Sequence, residues 1–323
     1  MLDSILGSLK VVALATKTDF RSVTSREVAL FEGPMGWGEF SPFLEYSYQE
    51  SVPWLVSGIE AAFAPPPTLI REAIAINATL PAIDDPDEIA QILGSFDGAT
   101  VVKIKVGDNV ESDLARIACV RELRPDAKIR IDVNGLWSVE QAYSFLNQVG
   151  EIEYVEQPCF TIEELRELKL RTSVKIAGDE VIRKAKDPFS IDLDGAIDIL
   201  MLKVAPLGGI TRAIAIAKHH GLPNAVSSAL ESAVGISHGL KLAAALPQLD
   251  FACGLGTGSL LAVDVAQLPI IDGSIAVADV VPDSAALGKY AVSNERLNWW
   301  KNRIRMTWSA GAEHIIQGNG WNE

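Results

Sequence analysis

The sequence predicts an α/β fold: a closed (β/α)8-type barrel, with a small α+β cap built from both chain ends. Three observations predict it. Eight short apolar runs alternate with helix-like segments, the polar residues that close the middle runs recur at a near-constant interval, and the two ends lack the repeat.

The runs lie at 73–77, 100–105, 128–132, 152–156, 174–179, 198–203, 225–228 and 251–254. From Lys105 to Asp132 is 27 residues, Asp132 to Glu156 is 24, Glu156 to Asp179 is 23 and Asp179 to Lys203 is 24. A short strand, two loops and a helix of about three turns fill that length. Strands alternating with helices at this spacing imply a parallel sheet, and eight units imply closure.

The intervening segments read as helices. Residues 108–123 place Val110, Leu114, Ile117, Val120 and Leu123 at three- and four-residue steps. Residues 138–149 open with Ser138 as a cap and Glu140 nearby, and 161–164 open the next helix in the same way. Gly208-Gly209 precedes a helix over 210–219.

The ends differ. Residues 1 to 70 read as a β-meander in which 27–32 and 36–40 flank the turn Gly33-Pro34-Met35. Ala64-Pro65-Pro66-Pro67 is stiff and extended, the nearest thing to a linker. The tail carries Trp299, Trp300, Trp308 and Trp321, which read as packing rather than ligand stacking. The expected organisation is a cap from 1–71, a barrel over 72–270 and a segment 271–323 completing the cap. Residues 15–24, with Arg21, are a candidate loop over the barrel mouth.

Composition narrows the partners. Lys and Arg total 28 against 42 Asp and Glu, a net charge of −14 that argues against a nucleic acid or an anionic membrane surface. No apolar stretch is long enough to span a bilayer, the start lacks a basic leader region, and Cys119, Cys159 and Cys253 form no CxxC. A cytoplasmic setting and a small-molecule carboxylate partner are expected; nothing in the sequence sets an oligomeric state.

The chemistry lies where the runs end. The C-terminal mouth is where barrels of this type build active sites. Asp132, Glu156 and Asp179 close three successive runs, and adjacent carboxylates repel unless a cation neutralises them. Hard oxygen donors suit Mg²⁺, with Mn²⁺ as a substitute. The alternative for any one acid is a solvated helix cap. Lys103 and Lys105 share a strand face, while Lys203 closes the run after Asp179. Lysines on strands two and six would then flank the acids. One lysine would remove an acidified α-proton and the opposite one would stabilise the resulting enediolate. Lys103 is a supporting cation or a structural partner of an acid.

Lys103-Ile104-Lys105, Asp132-Val133-Asn134, Glu156-Gln157-Pro158, Gly178-Asp179-Glu180 and Lys203 with Gly208-Gly209 resemble the muconate-lactonising subgroup of the enolase superfamily. Gly36-Trp37-Gly38-Glu39 resembles that family's cap strand. A lysine base beside Mg²⁺ is already known for enolase-superfamily sites. Within the subgroup, the short cap, 227–232 and 253–258 are most similar to the o-succinylbenzoate synthase family. That resemblance implies a modified, enolase-like barrel and dehydration of 2-succinyl-6-hydroxy-2,4-cyclohexadiene-1-carboxylate to 2-succinylbenzoate in menaquinone biosynthesis. It implies Lys105 as base and as proton donor to the leaving hydroxyl. Ser227, Ser228 and Gly256 are candidate substrate contacts. Dipeptide epimerases carry an Asp-x-Asp pair where this chain has Gly256-Thr257-Gly258, which argues against that activity.

The competing readings are an N-acylamino-acid racemase or a muconate-type cycloisomerase on the same site, and a non-catalytic binding barrel. A metal-free Schiff-base aldolase would not need the acids. The glycines of 254–258 read as a tight turn, and His219 and His220 as solvated at a helix end. Ser227, Ser228 and Ser232 have no His–Asp partner in phase, which disfavours nucleophilic catalysis.

Overall fold

The computed structural model describes residues 1–20, 23–107 and 109–321, with the side chains of 19 and 20 set aside. Arg21 therefore lies outside the described residues.

The chain begins with α1 (Leu2–Ser8), followed by the antiparallel strands β1 (Lys10–Phe20), β2 (Val23–Gly33) and β3 (Gly36–Phe40). Gly33 pairs with Gly36, leaving Pro34-Met35 as the hairpin turn. The meander stops there. Residues expected to continue it form α2 (Tyr48–Phe63) instead. Ser47 and Glu50 close a reciprocal capping box, and Val52, Leu55, Val56, Ile59 and Ala62 make a buried stripe. Pro53 sits inside this helix. Its lost hydrogen bond is outweighed by the packing of that stripe. β3 and α2 meet backbone to backbone: a Cβ on Gly38 would stand 2.1 Å from the Gly58 oxygen.

The barrel follows as β4 (Ala73–Ala75), β5 (Ala78–Leu80), α3 (Pro86–Gly94), β6 (Val101–Lys105), α4 (Val110–Leu123), β7 (Lys128–Asp132), α5 (Val139–Leu146), β8 (Tyr154–Glu156), α6 (Ile162–Lys169), β9 (Ile176–Gly178), α7 (Glu180–Arg183), β10 (Ile199–Lys203), α8 (Val204–Leu207), α9 (Ile210–His220), β11 (Asn224–Ser227) and α10 (Ala233–Ala245). The chain ends with β12 (Ser274–Ala276), α11 (Ser284–Lys289), α12 (Asn294–Thr307) and α13 (Glu313–Asn319). Strands β5 to β11 form one parallel sheet in sequence order.

The first and last expected strands depart from the regular repeat. Residues 73–75 pair antiparallel with β12, and the chain crosses to the barrel at Ile76-Asn77. The Ile76 N–H donates to Gly273, whereas that of Asn77 donates to Cys253 at 2.9 Å. Residues 251–254 close the ring through single bridges, Ile76 with Cys253 and Ser227 with Gly254. The helix starts follow their caps. Asn109 opens α4, Thr161 and Glu164 box α6, and Ser138 boxes with Gln141, the third residue on, rather than Glu140.

Two large cores result, beside a small cluster of Tyr154, Ala177, Ile199, Met201 and Ala225 on the barrel strands. One packs the strands and their helices. The other joins Ile5, Phe31, Phe40, Trp54, Trp300 and Ile304, so both chain ends share it. Trp300 is fully buried edge-on to Phe40 and its indole N–H donates to Glu27 at 2.6 Å. Among the described residues no helix is long and apolar enough to cross a membrane.

Candidate active site

Strand register assembles the site. Lys105, Asp132 and Glu156 are cross-strand partners on β6, β7 and β8. Two residues back, Lys103, Arg130 and Tyr154 form a lower layer on the same face. Asp179 follows β9 directly, and Lys203 ends β10. The three acids and three lysines expected to converge do so.

Their contacts separate their roles. Lys103 is buried and donates to Glu156 at 2.9 Å, with Asp132 at 3.6 Å. Burial opposes its charge, but Glu156 and Asp132 together outweigh burial and raise its pKa. Lys103 is therefore held as a cation. Lys105 is 3.4 Å from Asp132 and remains partly exposed. Lys203 donates to Asp179 at 2.6 Å and stands 4.0 Å from Glu156.

Glu156 and Asp179 are shifted in opposite directions. Burial and then Asp132 push Glu156 up, partly offset by Lys103 and Lys203. Asp179 is also penalised by burial, yet Arg183 and Lys203 hold it well below the usual carboxylate range. Arg183, absent from the sequence expectation, straddles both Asp179 oxygens at 3.0 and 3.1 Å. It also reaches Glu180 at 2.6 Å and the Tyr46 hydroxyl at 3.1 Å. Its spacing of four from Asp179 was the available signal.

Two motif neighbours, Gln157 and Asn134, brace the segments around the acids. Gln157, at a φ of 41°, accepts the Asp179 N–H at 2.9 Å and donates to the Cys159 carbonyl. Asn134, at a φ of 54°, donates to Glu180 at 3.0 Å.

The cavity at the mouth is lined by Lys103, Lys105, Asp132, Lys203, Ser227 and Ser228, with further walls from Phe43, Thr79, Leu80 and Thr257. Its volume is about 30 Å³, and the ammonium groups around it lie against the acids. Ser228 donates to the Gly254 carbonyl at 2.7 Å and contacts the Thr257 hydroxyl at 2.7 Å. Gly256 is placed elsewhere: it faces Phe96 and Ile76 and lines a neighbouring cavity. The short 3₁₀ turn Gly256–Leu260 brings Thr257 to the mouth in its place. His219 is exposed, but His220 is half-buried with Nε2 2.8 Å from the Pro188 carbonyl.

Among the described residues, no three acids, histidines or cysteines are gathered around one point as a formed metal cluster. The lysines occupy the space between the carboxylates. The buried Oε1 of Glu156 nevertheless accepts no hydrogen bond, Lys203 standing 4.0 Å from it.

Glu39, of the glycine-rich cap strand, lies outside the mouth. It accepts the Ser232 hydroxyl at 2.6 Å and the Gly235 N–H at 2.9 Å, sealing the start of α10. Glu60 of α2 likewise accepts the Ile210 and Thr211 N–H groups at the start of α9, and lies 3.3 Å from His238.

Residues 89–283 match the enolase C-terminal domain-like model, and residues 11–62 the enolase N-terminal domain-like model. The o-succinylbenzoate synthase of Mycobacterium marinum is 49% identical over 311 residues, covering 94% of each chain. That of Mycolicibacterium smegmatis is 48% identical over 310 residues, covering 94% of this chain and 96% of its own. The structure of muconate lactonizing enzyme from Pseudomonas putida superposes with a TM-score of 0.73 at 23% identity, over 88% of this chain and 98% of that one. The N-succinyl Arg/Lys racemase from Bacillus cereus superposes equally well, at a TM-score of 0.73 and 20% identity over 88% and 97% of the two chains. The register that brings two lysines and three carboxylates to one barrel mouth thus accompanies near-full-length kinship, and the chain belongs to the enolase superfamily and, within it, to the o-succinylbenzoate synthase family.

Proposed function

We propose that this chain dehydrates 2-succinyl-6-hydroxy-2,4-cyclohexadiene-1-carboxylate to 2-succinylbenzoate, the reaction of o-succinylbenzoate synthases. The observation that carries the mechanism is the pair of lysines, Lys105 on β6 and Lys203 on β10, facing one cavity across Asp132, Glu156 and Asp179.

A divalent cation, Mg²⁺ by donor chemistry, fits these residues. Three hard carboxylates end adjacent strands, and Glu156 carries a buried oxygen without a hydrogen bond. Asp132, Glu156 and Asp179 would hold it. When bound, the cation supplies electrophilic stabilisation to the substrate carboxylate and relieves Lys105 and Lys203 of neutralising the acids.

Lys105 then takes the α-proton, and the C–H electron pair moves into the carboxylate as an enediolate. The Lys203 ammonium faces that developing charge. As the electrons return, the C–O bond to the 6-hydroxyl breaks. The leaving oxygen takes its proton from Lys105 and departs as water, and the ring becomes aromatic. Lys103, held charged between Glu156 and Asp132, fixes the acids and does not exchange a proton. Ser227, beside Lys203 in the strand register, and Ser228 and Thr257 line the same cavity and would flank the substrate there.

The test follows dehydration of the diene spectroscopically, beside α-proton exchange on an N-acylamino acid. Rapid, chelator-sensitive dehydration is expected. Exchange on the amino acid without dehydration would make the chain a racemase instead.

A further inference from the structure

The molecule carries net charge −14, yet one concavity away from the mouth is cationic. Arg183 and Lys184, Lys186 just after α7, and Arg212 on α9 line a cavity of about 610 Å³ between barrel and cap. Tyr46 and Trp54 contribute aromatic walls. The acid in this lining is Glu50, whose carboxylate already accepts the Ser47 N–H at 2.9 Å and hydroxyl at 2.7 Å. Lys184 acts on Glu50 through its field alone, and among the described residues Lys184, Lys186 and Arg212 form no ion pair.

Like charges gathered in a concave wall repel one another and focus a positive potential. Arg183 is paired with Asp179 and Glu180, whereas Lys184, Lys186 and Arg212 keep their charges toward the groove. The volume matches an organic ligand rather than a single water or halide. Arg183 joins this cavity to the mouth, since the same guanidinium holds both Asp179 oxygens and the Tyr46 hydroxyl.

We propose that this groove binds a multiply charged phosphate-class anion, and that Arg183 couples its occupancy to Asp179. An anion in the groove competes with Asp179 for the guanidinium and frees carboxylate oxygens at the mouth. By linkage, a cation at the mouth strengthens anion binding by the same factor. The coupling, though not the anion site, rests on the reading of Asp179 as a cation ligand.

The full chain, stripped of metal, is titrated with inorganic pyrophosphate by calorimetry. Saturable binding is expected, weakened about tenfold or more in the Lys184→Ala/Lys186→Ala double variant as charge-assisted contacts are lost. Lys105→Ala should bind pyrophosphate as the parent does. Absent binding, equal affinity in the double variant, or loss in Lys105→Ala overturns the site, the last by placing the anion in the catalytic mouth. Mn²⁺ affinity, read from the free-ion EPR signal, should rise with sulfate at constant ionic strength in the parent and not in the double variant. A parent response equal to that of the variant overturns the coupling. Failure to bind Mn²⁺ under any condition, with pyrophosphate binding intact, overturns the cation reading and upholds the anion site.

Discussion

Two clusters of buried carboxylates in this fold are neutralised by different means. At the barrel mouth, Asp132, Glu156 and Asp179 face Lys103, Lys105, Lys203 and Arg183. At the seam between cap and barrel, Glu39 and Glu60 face backbone N–H groups at the starts of α10 and α9. Helix amides are fixed donors and cannot leave. Lys105 and Lys203 carry their ammonium groups on flexible four-carbon stems that can exchange protons, while Lys103 stays charged. The seam is therefore built to hold the cap in place, and the mouth to exchange its counter-charges. A buried acid alone does not mark catalysis; the mobility of what neutralises it does.

The sharpest break of this comparison is Lys105→Ala. If Lys105 is the base, dehydration falls by about 10⁴-fold or to background while the far-UV spectrum is unchanged. Dehydration that persists in Lys105→Ala but disappears in Lys203→Arg would reverse the assignment of the two lysines. Asp179→Asn, Glu156→Gln or Asp132→Asn should each remove Mg²⁺ binding, measured calorimetrically, and activity with it. Full activity of Asp179→Asn, or of the parent in EDTA, would sink the cation site.

The seam is tested by pH. Burial raises Glu39 to about 7, against the lowering effect of the Ser232 and Ser41 hydroxyls. The folded chain then holds this proton more tightly than the unfolded chain. Stability from Glu39 is fully present below about pH 4.5 and declines as pH rises to about 7, by on the order of 3 kcal/mol at most. Glu39→Gln should flatten that slope in urea unfolding followed across this window. An unchanged slope would mean that another group carries it.

Smaller effects sharpen the contrast. Lys203→Arg keeps the charge without a usable base and should retain dehydration reduced by about 10- to 100-fold, while abolishing α-proton exchange on an N-acylamino acid. Glu60→Gln weakens charged acceptance at the start of α9 and should cost about 1 kcal/mol in the urea midpoint, with kcat unchanged. A large loss of kcat in Glu60→Gln would mean that the seam also positions the mouth.

Much of this was legible along the chain. The interval between Lys105, Asp132, Glu156, Asp179 and Lys203 reports one strand and one helix per step, so their convergence follows from barrel geometry alone. Helix α2 was hidden because its capping box and apolar stripe surround Pro53, which argues locally against a helix. Thr257 was not singled out because a glycine-rich stretch does not announce which residue of its turn lines the mouth. Arg183 escaped because α7 is only four residues long and shows no periodicity.

The sequence by itself determined the barrel, the strand ends and the chemical types brought to them, because period and polarity are local properties that a repeating fold converts into position. Tertiary structure alone decided which charge meets which. Lys103 joins Glu156, Lys203 joins Asp179, and Glu39 and Glu60 turn to helix starts on the other domain. Those pairings depend on distances of a few ångströms between residues far apart in sequence. Coulombic attraction and desolvation are set by such distances and by burial, neither of which the order of residues along a chain contains.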